Sequence, residues 1–509
     1  MSTTCLNWID NKYEPPIGGE YCDVTSPMTN EVVGKCAVSG AADVNKAVDC
    51  ATAAFPSWSS LTMKARAAIM LKFHALVKRD TQKLAELIVL ENGKNMVEAV
   101  ADVAKGNETV EYACSLPQVA QGKNLTVSRG IDCRDTRRPL GVVASIVPFN
   151  FPFMVPMWTS PIALVLGNCV IVKPSEKVPL TMNAVCSLVV EAGFPPGVFQ
   201  FVHGMADCCN AIIESPKISA VSFVGSSPIA KIVADKCRGL NKRVVALGGA
   251  KNHLVALPDA DKEGTVRDVV ASFAGASGQR CMAASVLLVV GENKEYDLIS
   301  EVVERAKNLV LGTAAGELGP VIDASSKDKI ISYIEDSEKS GAEILLDGRN
   351  PATTPTATGN WLSPTIILHK SKSDKALHEE IFGPVLSIYK VNTWNEAIAI
   401  ENGNAFGNAA CIYTSKGGSA DWFTSRFRAG MLGVNVGIPV PREPFAFGGL
   451  YGTLSKYGDG DITSEGAIEF FTTRIKITTR WPAPLSEEVG EEVGIGGDAN
   501  DAANFNGKM

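Results

Sequence analysis

Apolar residues recur at helical spacing from Ala65 to Val77 and from Leu84 to Leu90, and residues 42–115 as a whole read as helical. The pattern then changes. Leu140 to Val147 is an apolar, β-branched run, and similar short runs follow at Val170–Val172, Val198–Val202, Val221–Val224 and Val244–Leu247. Helix-length segments near 157–167, 180–192, 206–214 and 228–238 separate them. Strands that are apolar throughout and alternate with helices predict a parallel, doubly wound sheet covered on both faces. Such a sheet binds ligands beyond the carboxyl ends of its strands.

A second α/β region is expected from about 252 to 440, with helices near 261–275, 295–310, 325–340 and 418–428 and strands at Ser285–Val290 and Val385–Ile388. Phe470 to Thr479 alternates apolar and polar positions, and Leu125 to Asp132 does so less cleanly. Both read as isolated strands that complete neither core and could pair across subunits. From Glu487 onward the chain is acidic and rich in Gly, Asn and Asp, which predicts a disordered tail.

Composition narrows the function classes. With 509 residues, 46% hydrophobic and 20% charged, the chain can bury several cores without disulfides. A net charge of −7 and the lack of a basic run give no reason to expect a nucleic-acid partner. No apolar stretch reaches the ~18 residues of a membrane span. Met1 to Pro16 carries Asp10 and Glu14 but no Arg, unlike a targeting segment. Thirteen cysteines without a framework spacing suggest free thiols in a reducing compartment, and five scattered histidines argue against zinc.

Five short motifs follow strands or join elements. Gly278-Gln279-Arg280-Cys281 lies between a helix and a strand, where a thiol could attack an electrophile. The neighbouring Arg280 cation is expected to favour its thiolate. In Pro148-Phe149-Asn150-Phe151-Pro152, the Asn150 amide could form an oxyanion hole with a backbone N–H, or simply make a turn. In Lys173-Pro174-Ser175-Glu176, a carboxylate and an ammonium could take the hydroxyls of a ribose and disfavour a 2′-phosphate. Gly225-Ser226 could let a pyrophosphate approach a helix N-terminus. Glu380 and Phe382, in Glu379-Glu380-Ile381-Phe382-Gly383-Pro384, could orient a nicotinamide ribose and ring, or form an acidic helix end with a Gly-Pro stop.

Taken together, the order and spacing of these motifs resemble the aldehyde dehydrogenase superfamily over nearly the whole chain. The resemblance implies two Rossmann-type domains and a small β extension that assembles dimers or tetramers. It implies that Cys281 is the nucleophile and that Asn150 with the Cys281 backbone N–H forms the oxyanion hole. NAD would be held by Lys173, Glu176, Gly225, Ser226, Glu380 and Phe382, with Phe149 and Leu247 grouped beside them. The implied organisation is an NAD-binding domain over 1–124 and 142–251 and a catalytic domain over 252–441. Oligomerisation strands would follow at 125–141 and 466–481, with a disordered acidic tail at 487–509.

Members that hydrolyse their thioester carry a general-base Glu where this chain has Leu247 of Leu247-Gly248-Gly249-Ala250-Lys251. Leucine accepts no proton, so water lacks its base, whereas a thiol supplies some thiolate unaided. Gly249-Ala250-Lys251-Asn252-His253, Gly278-Gln279-Arg280-Cys281-Met282-Ala283 and Gly433-Val434-Asn435-Val436-Gly437-Ile438-Pro439-Val440-Pro441 resemble coenzyme A-acylating methylmalonate-semialdehyde dehydrogenase. That family implies oxidation of malonate or methylmalonate semialdehyde, decarboxylation and acyl transfer to coenzyme A. Its two substrate-facing arginines fall on Arg280 and on Lys105, and lysine cannot form the planar bidentate pair. The alternatives are a hydrolytic, NAD-dependent enzyme of another small aldehyde and an idle NAD-binding protein. The expected compartment is the mitochondrial matrix or the cytoplasm.

Overall fold

The computed structural model describes residues 3–128, 130–292 and 296–481, so the tail expected at 487–509 lies outside the described residues. Residues 41–114 are four helices: Ala41–Ser60, Met63–Arg79, Thr81–Asn92 and Met96–Cys114. The breaks are chemical. Thr62 caps the second helix by accepting from the Ala65 N–H, Gly93 leaves the third in a left-handed turn (φ 80°), and Asn95 caps the fourth on the Glu98 N–H.

Five parallel strands form the centre of an eight-stranded sheet, in the order Arg243–Leu247, Ile218–Val224, Val142–Ile146, Cys169–Lys173 and Phe199–Phe201. Antiparallel strands close both edges, Lys456–Gly458 against Arg243–Leu247 on one side and, on the other, Asn7–Ile9 against Phe199–Phe201 with Lys12–Glu14 outermost. Every residue of Val142–Ile146 and Cys169–Lys173 is buried, which explains their unbroken apolar sequence. Helices Met154–Leu166, Leu180–Ala192, Ala206–Glu214 and Ser227–Gly239 connect the strands.

A second, seven-stranded sheet runs Glu343–Leu346, Thr365–Leu368, Val385–Val391, Ala284–Val290, Asn252–Ala256, Ala409–Tyr413 and Met431–Val434, parallel except at Glu343–Leu346. The carboxyl end of Arg243–Leu247 leads through Gly248–Lys251 directly into Asn252–Ala256, so the two sheets meet across a short, glycine-containing link.

Two expectations need correction. Leu125–Asp132 is not one strand, because it crosses a turn between Asn124–Ser128 and Ile131–Pro139. The late strand Thr472–Arg480 is not isolated either: it pairs antiparallel with Ile131–Pro139 in the same chain, from Thr472↔Pro139 to Arg480↔Ile131. Among the described residues no helix is long and apolar enough to cross a membrane.

Candidate active site

Cys281 stands where two cavities meet. One, of about 390 Å³, is lined by Phe151, Met154, Trp158, Ile438 and Phe447 together with Lys105, Arg280 and Arg442. The other, of about 290 Å³, is lined by Phe149, Asn150, Gly225, Ser226, Gly249, Glu380 and Phe382. Cys281 belongs to both linings.

The loop that presents it is strained and firmly held. Ala276, Ser277 and Gly278 are consecutively left-handed, with φ of 48°, 55° and 68°. For the two non-glycine residues that conformation costs roughly 1–3 kcal/mol each. Offsetting contacts are present: the Ala276 N–H donates to Glu98 Oε1 at 2.7 Å and the Ser277 hydroxyl to the Gly319 carbonyl at 2.5 Å. Gly278 admits no side chain, since a Cβ there would come within 2.0 Å of the Gly383 carbonyl oxygen. That contact seats the cysteine loop against Phe382-Gly383, itself a turn with Phe382 at φ 62°.

The Cys281 carbonyl is fixed from two sides, by Asn252 Nδ2 at 2.8 Å and Asn408 Nδ2 at 2.9 Å. Asn252 also donates to the Ala283 carbonyl at 2.8 Å and accepts from the Ala409 N–H at 3.1 Å. Asn150 is buried and donates from Nδ2 to the Gln279 carbonyl at 3.0 Å. A primary amide carries two N–H donors, so Asn150 can hold the loop with one and keep the second for an oxyanion.

Arg280 does not act on the thiol as expected. Its guanidinium turns to Glu98, with Nη2 2.7 Å from Oε1. Burial, followed by the negative charge of Glu380, pushes the Cys281 thiol up to about 12. The resting Cys281 side chain is therefore a neutral thiol. Burial raises Glu380 itself, although its Oε1 accepts the Ala250 N–H at 2.8 Å. Lys105 contacts Glu108 at 2.5 Å, and the same carboxylate also pairs with Arg442, a cation that sequence reasoning did not single out.

In the second cavity Phe149 and Phe382 meet edge to face at 6.0 Å between ring centroids. Gly225 and Ser226 open the helix Ser227–Gly239, the Ser226 side chain makes no capping bond, and Pro228 contributes no N–H, so the orphan donors of the first turn are those of Ser227 and Ile229. A Cβ at Gly249 would come within 2.3 Å of Glu380 Oε2 and displace that carboxylate. These features suit a dinucleotide: orphan helix-end donors for a pyrophosphate, glycines for close approach and a carboxylate for a ribose. Lys173 and Glu176 pair at 3.2 Å at the end of the second parallel strand, outside the lining of this cavity. Leu247 is also outside it. Its side chain packs in the main core, 4% exposed, and only its carbonyl takes part, accepting the Gly225 N–H at 3.0 Å.

Sequence reasoning missed Glu98, Asn252 and Asn408 as parts of this site. A buried Asn opening an otherwise apolar strand, as in Asn252–Ala256, was the one available signal.

Residues 15–476 match the model of the family described as Aldehyde dehydrogenase family. Malonate-semialdehyde dehydrogenase 1 of Geobacillus kaustophilus is 40% identical over 484 residues, covering 94% of this chain and 98% of the relative. The crystal structure of methylmalonate-semialdehyde dehydrogenase from Oceanimonas doudoroffii superposes with a TM-score of 0.92 at 36% identity, covering 95% of this chain and 99% of the other. A Sinorhizobium meliloti 1021 structure, described as a methylmalonate-semialdehyde dehydrogenase complexed with NAD, gives a TM-score of 0.93 at 35% identity over 96% of this chain and 99% of the other.

Proposed function

Because the chain belongs to the aldehyde dehydrogenase family, we propose that it oxidises malonate or methylmalonate semialdehyde with NAD and passes the acyl group to coenzyme A through a Cys281 thioester. The observation that carries this reading is the position of Cys281 at the junction of a cation-bearing cavity and a glycine-lined cavity. The names of the relatives support the substrate class: malonate-semialdehyde dehydrogenase in Geobacillus kaustophilus and methylmalonate-semialdehyde dehydrogenase in Oceanimonas doudoroffii.

In this reading the Cys281 thiol loses its proton to solvent, its sulfur adds to the aldehyde carbon, and the resulting alkoxide takes hydrogen bonds from the Asn150 amide and the Cys281 N–H. NAD, when bound, supplies the hydride acceptor. Gly225, Ser226, Glu380 and Phe382 would hold its phosphate and nicotinamide end, and Lys173 with Glu176 its adenosine ribose. Lys105 and Arg280 would face the substrate carboxylate. That carboxylate lies β to the thioester carbonyl, which can accept the electrons released with carbon dioxide. Cofactor binding is assigned to 1–124 with 142–251, catalysis to 252–441, and assembly as a dimer or tetramer to the strands in 125–141 and 466–481.

Acyl transfer to a thiol is favoured over hydrolysis by Leu247, which is buried in the core and offers water no base. One observation keeps hydrolysis as a second reading: Glu380 is a carboxylate with a raised pKa in the same cavity as Cys281. Product analysis separates the two. With malonate semialdehyde and NAD, the proposal expects steady turnover and a thioester product only when coenzyme A is added. Equal turnover to free acid without coenzyme A overturns it.

A further inference from the structure

Away from the catalytic cavities, three cysteines stand in a row across the small sheet near the N-terminus. The sheet runs Thr3–Cys5, Val32–Ala37, Tyr21–Thr25, and its register sets Cys5 opposite Cys36 and Cys36 opposite Cys22. Residues directly opposed in an antiparallel pair share a face with Cα atoms about 4.5–5.5 Å apart. A disulfide spans Cα separations of about 4.4–6.8 Å. Cys22 and Cys36 therefore need no backbone rearrangement to be joined.

The two thiols are unequal in the way that oxidation chemistry needs. Cys22 is half-buried and reachable, whereas Cys36 and Cys5 are fully buried. The Cys22 thiol donates to the Cys36 carbonyl at 3.7 Å. The neighbouring Cys36 thiol draws Cys22 down to about 7 against the opposing effects of burial, Glu176 and Asp23, while the Cys36 S–H itself donates to the Ala37 carbonyl at 3.7 Å. Contact with Cys22 and burial together push Cys36 strongly up, with Cys22 and Cys5 adding to the rise and Lys173 opposing it. A reactive, accessible thiolate beside a buried resolving thiol is the arrangement of a redox-sensing pair. Cys281, with its thiol near 12, is poorly placed to compete.

We propose that Cys22 and Cys36 are an oxidative modification site, closed to a cross-strand disulfide by a hydroperoxide. The Cys22 thiolate attacks the peroxide O–O bond to give a sulfenic acid and hydroxide, which is protonated to water. The Cys36 sulfur then displaces hydroxide from that sulfenic acid, losing its proton to it, so two thiols and one hydrogen peroxide become one disulfide and two waters.

The test uses the full-length, reduced protein and hydrogen peroxide. Remaining thiols are blocked, the protein is digested without reductant, and linked peptides are identified by mass. The expected result is a Cys22–Cys36 crosslink two hydrogens lighter than the free peptides, formed before Cys281 is modified and reversed by dithiothreitol. Cys36→Ser should instead leave Cys22 as a sulfenic acid that dimedone traps. Modification of Cys281 first, or an unchanged dimedone signal in Cys22→Ser, overturns the site.

Discussion

Asn252 donates from its side-chain amide to the Cys281 carbonyl at 2.8 Å, tying the first residue of a buried strand to the peptide that carries the Cys281 thiol. The same amide oxygen accepts the Ala409 N–H, so Asn252 joins the cysteine loop to two neighbouring strands of the second sheet.

Replacing Asn252 by Ala leaves the Ala283 carbonyl and the Ala409 N–H without these partners inside the core. A buried unsatisfied group costs about 1–3 kcal/mol. Denaturant unfolding should show a loss in that range. The kcat should fall more than the NAD affinity, because the loop and not the cofactor cavity is loosened. A variant of full stability and normal kcat would show that Asn252 does not hold the loop.

Cys281→Ala should lower aldehyde-dependent NADH formation by about a thousandfold or more, with the melting temperature nearly unchanged. The half-buried sulfur is a single small group, so its removal opens little space in the core. Residual activity above a tenth of wild type would remove the nucleophile assignment.

The thiol pKa gives a pH prediction. Burial and then Glu380 raise it to about 12, so alkylation of Cys281 by iodoacetamide should accelerate with pH across the whole range from 7 to 10. Glu380→Gln removes the nearby negative charge and should lower the thiol pKa, giving faster alkylation at pH 8. Because the folded pKa lies above the unfolded ~8.5, the stability contributed by this thiol is complete below that pH and is lost as pH rises toward 12. Slower alkylation in Glu380→Gln would contradict the electrostatic account.

Lys251 is 3% exposed, and among the described residues its Nζ meets no hydrogen-bond partner. Burial lowers its pKa to about 7, against the attraction of Glu380, Asp374 and Glu379. Between that value and the unfolded ~10.4 the unfolded chain binds a proton that the folded one does not, so stability should rise with pH over this window. Lys251→Met should flatten that rise and stabilise the protein at pH 7 by about 1–4 kcal/mol. Thermal unfolding at pH 7 and pH 9.5 measures both. A steeper pH dependence in the variant would refute the assignment.

Glu98→Gln tests the strained turn. Glu98 Oε1 receives both the Ala276 N–H and the Arg280 guanidinium at 2.7 Å, and charge-assisted bonds of this kind are worth about 1.5–3 kcal/mol. The variant should lose kcat and show earlier hydrogen exchange at residues 275–281. Unaltered exchange there would mean that the turn is held by Ser277 and Gly278 alone.

The sequence by itself determined the parallel strands, since a strand buried on both faces must be apolar at every position, as Val142–Ile146 and Cys169–Lys173 are. It also placed Cys281, Asn150, Gly225 and Glu380 at the ends of regular elements, because glycines, prolines and isolated polar residues punctuate apolar runs. Only the tertiary structure decided what those residues face. Arg280 turned to Glu98 although it adjoins Cys281 in sequence, because Glu98 arrives from a helix 182 residues away. Leu247 went into the core, and Asn252 and Asn408 converged on one carbonyl across 156 residues of chain. Burial and long-range charge are properties of the packed chain, so the thiol pushed up beside Glu380 could not be read from the loop that carries it.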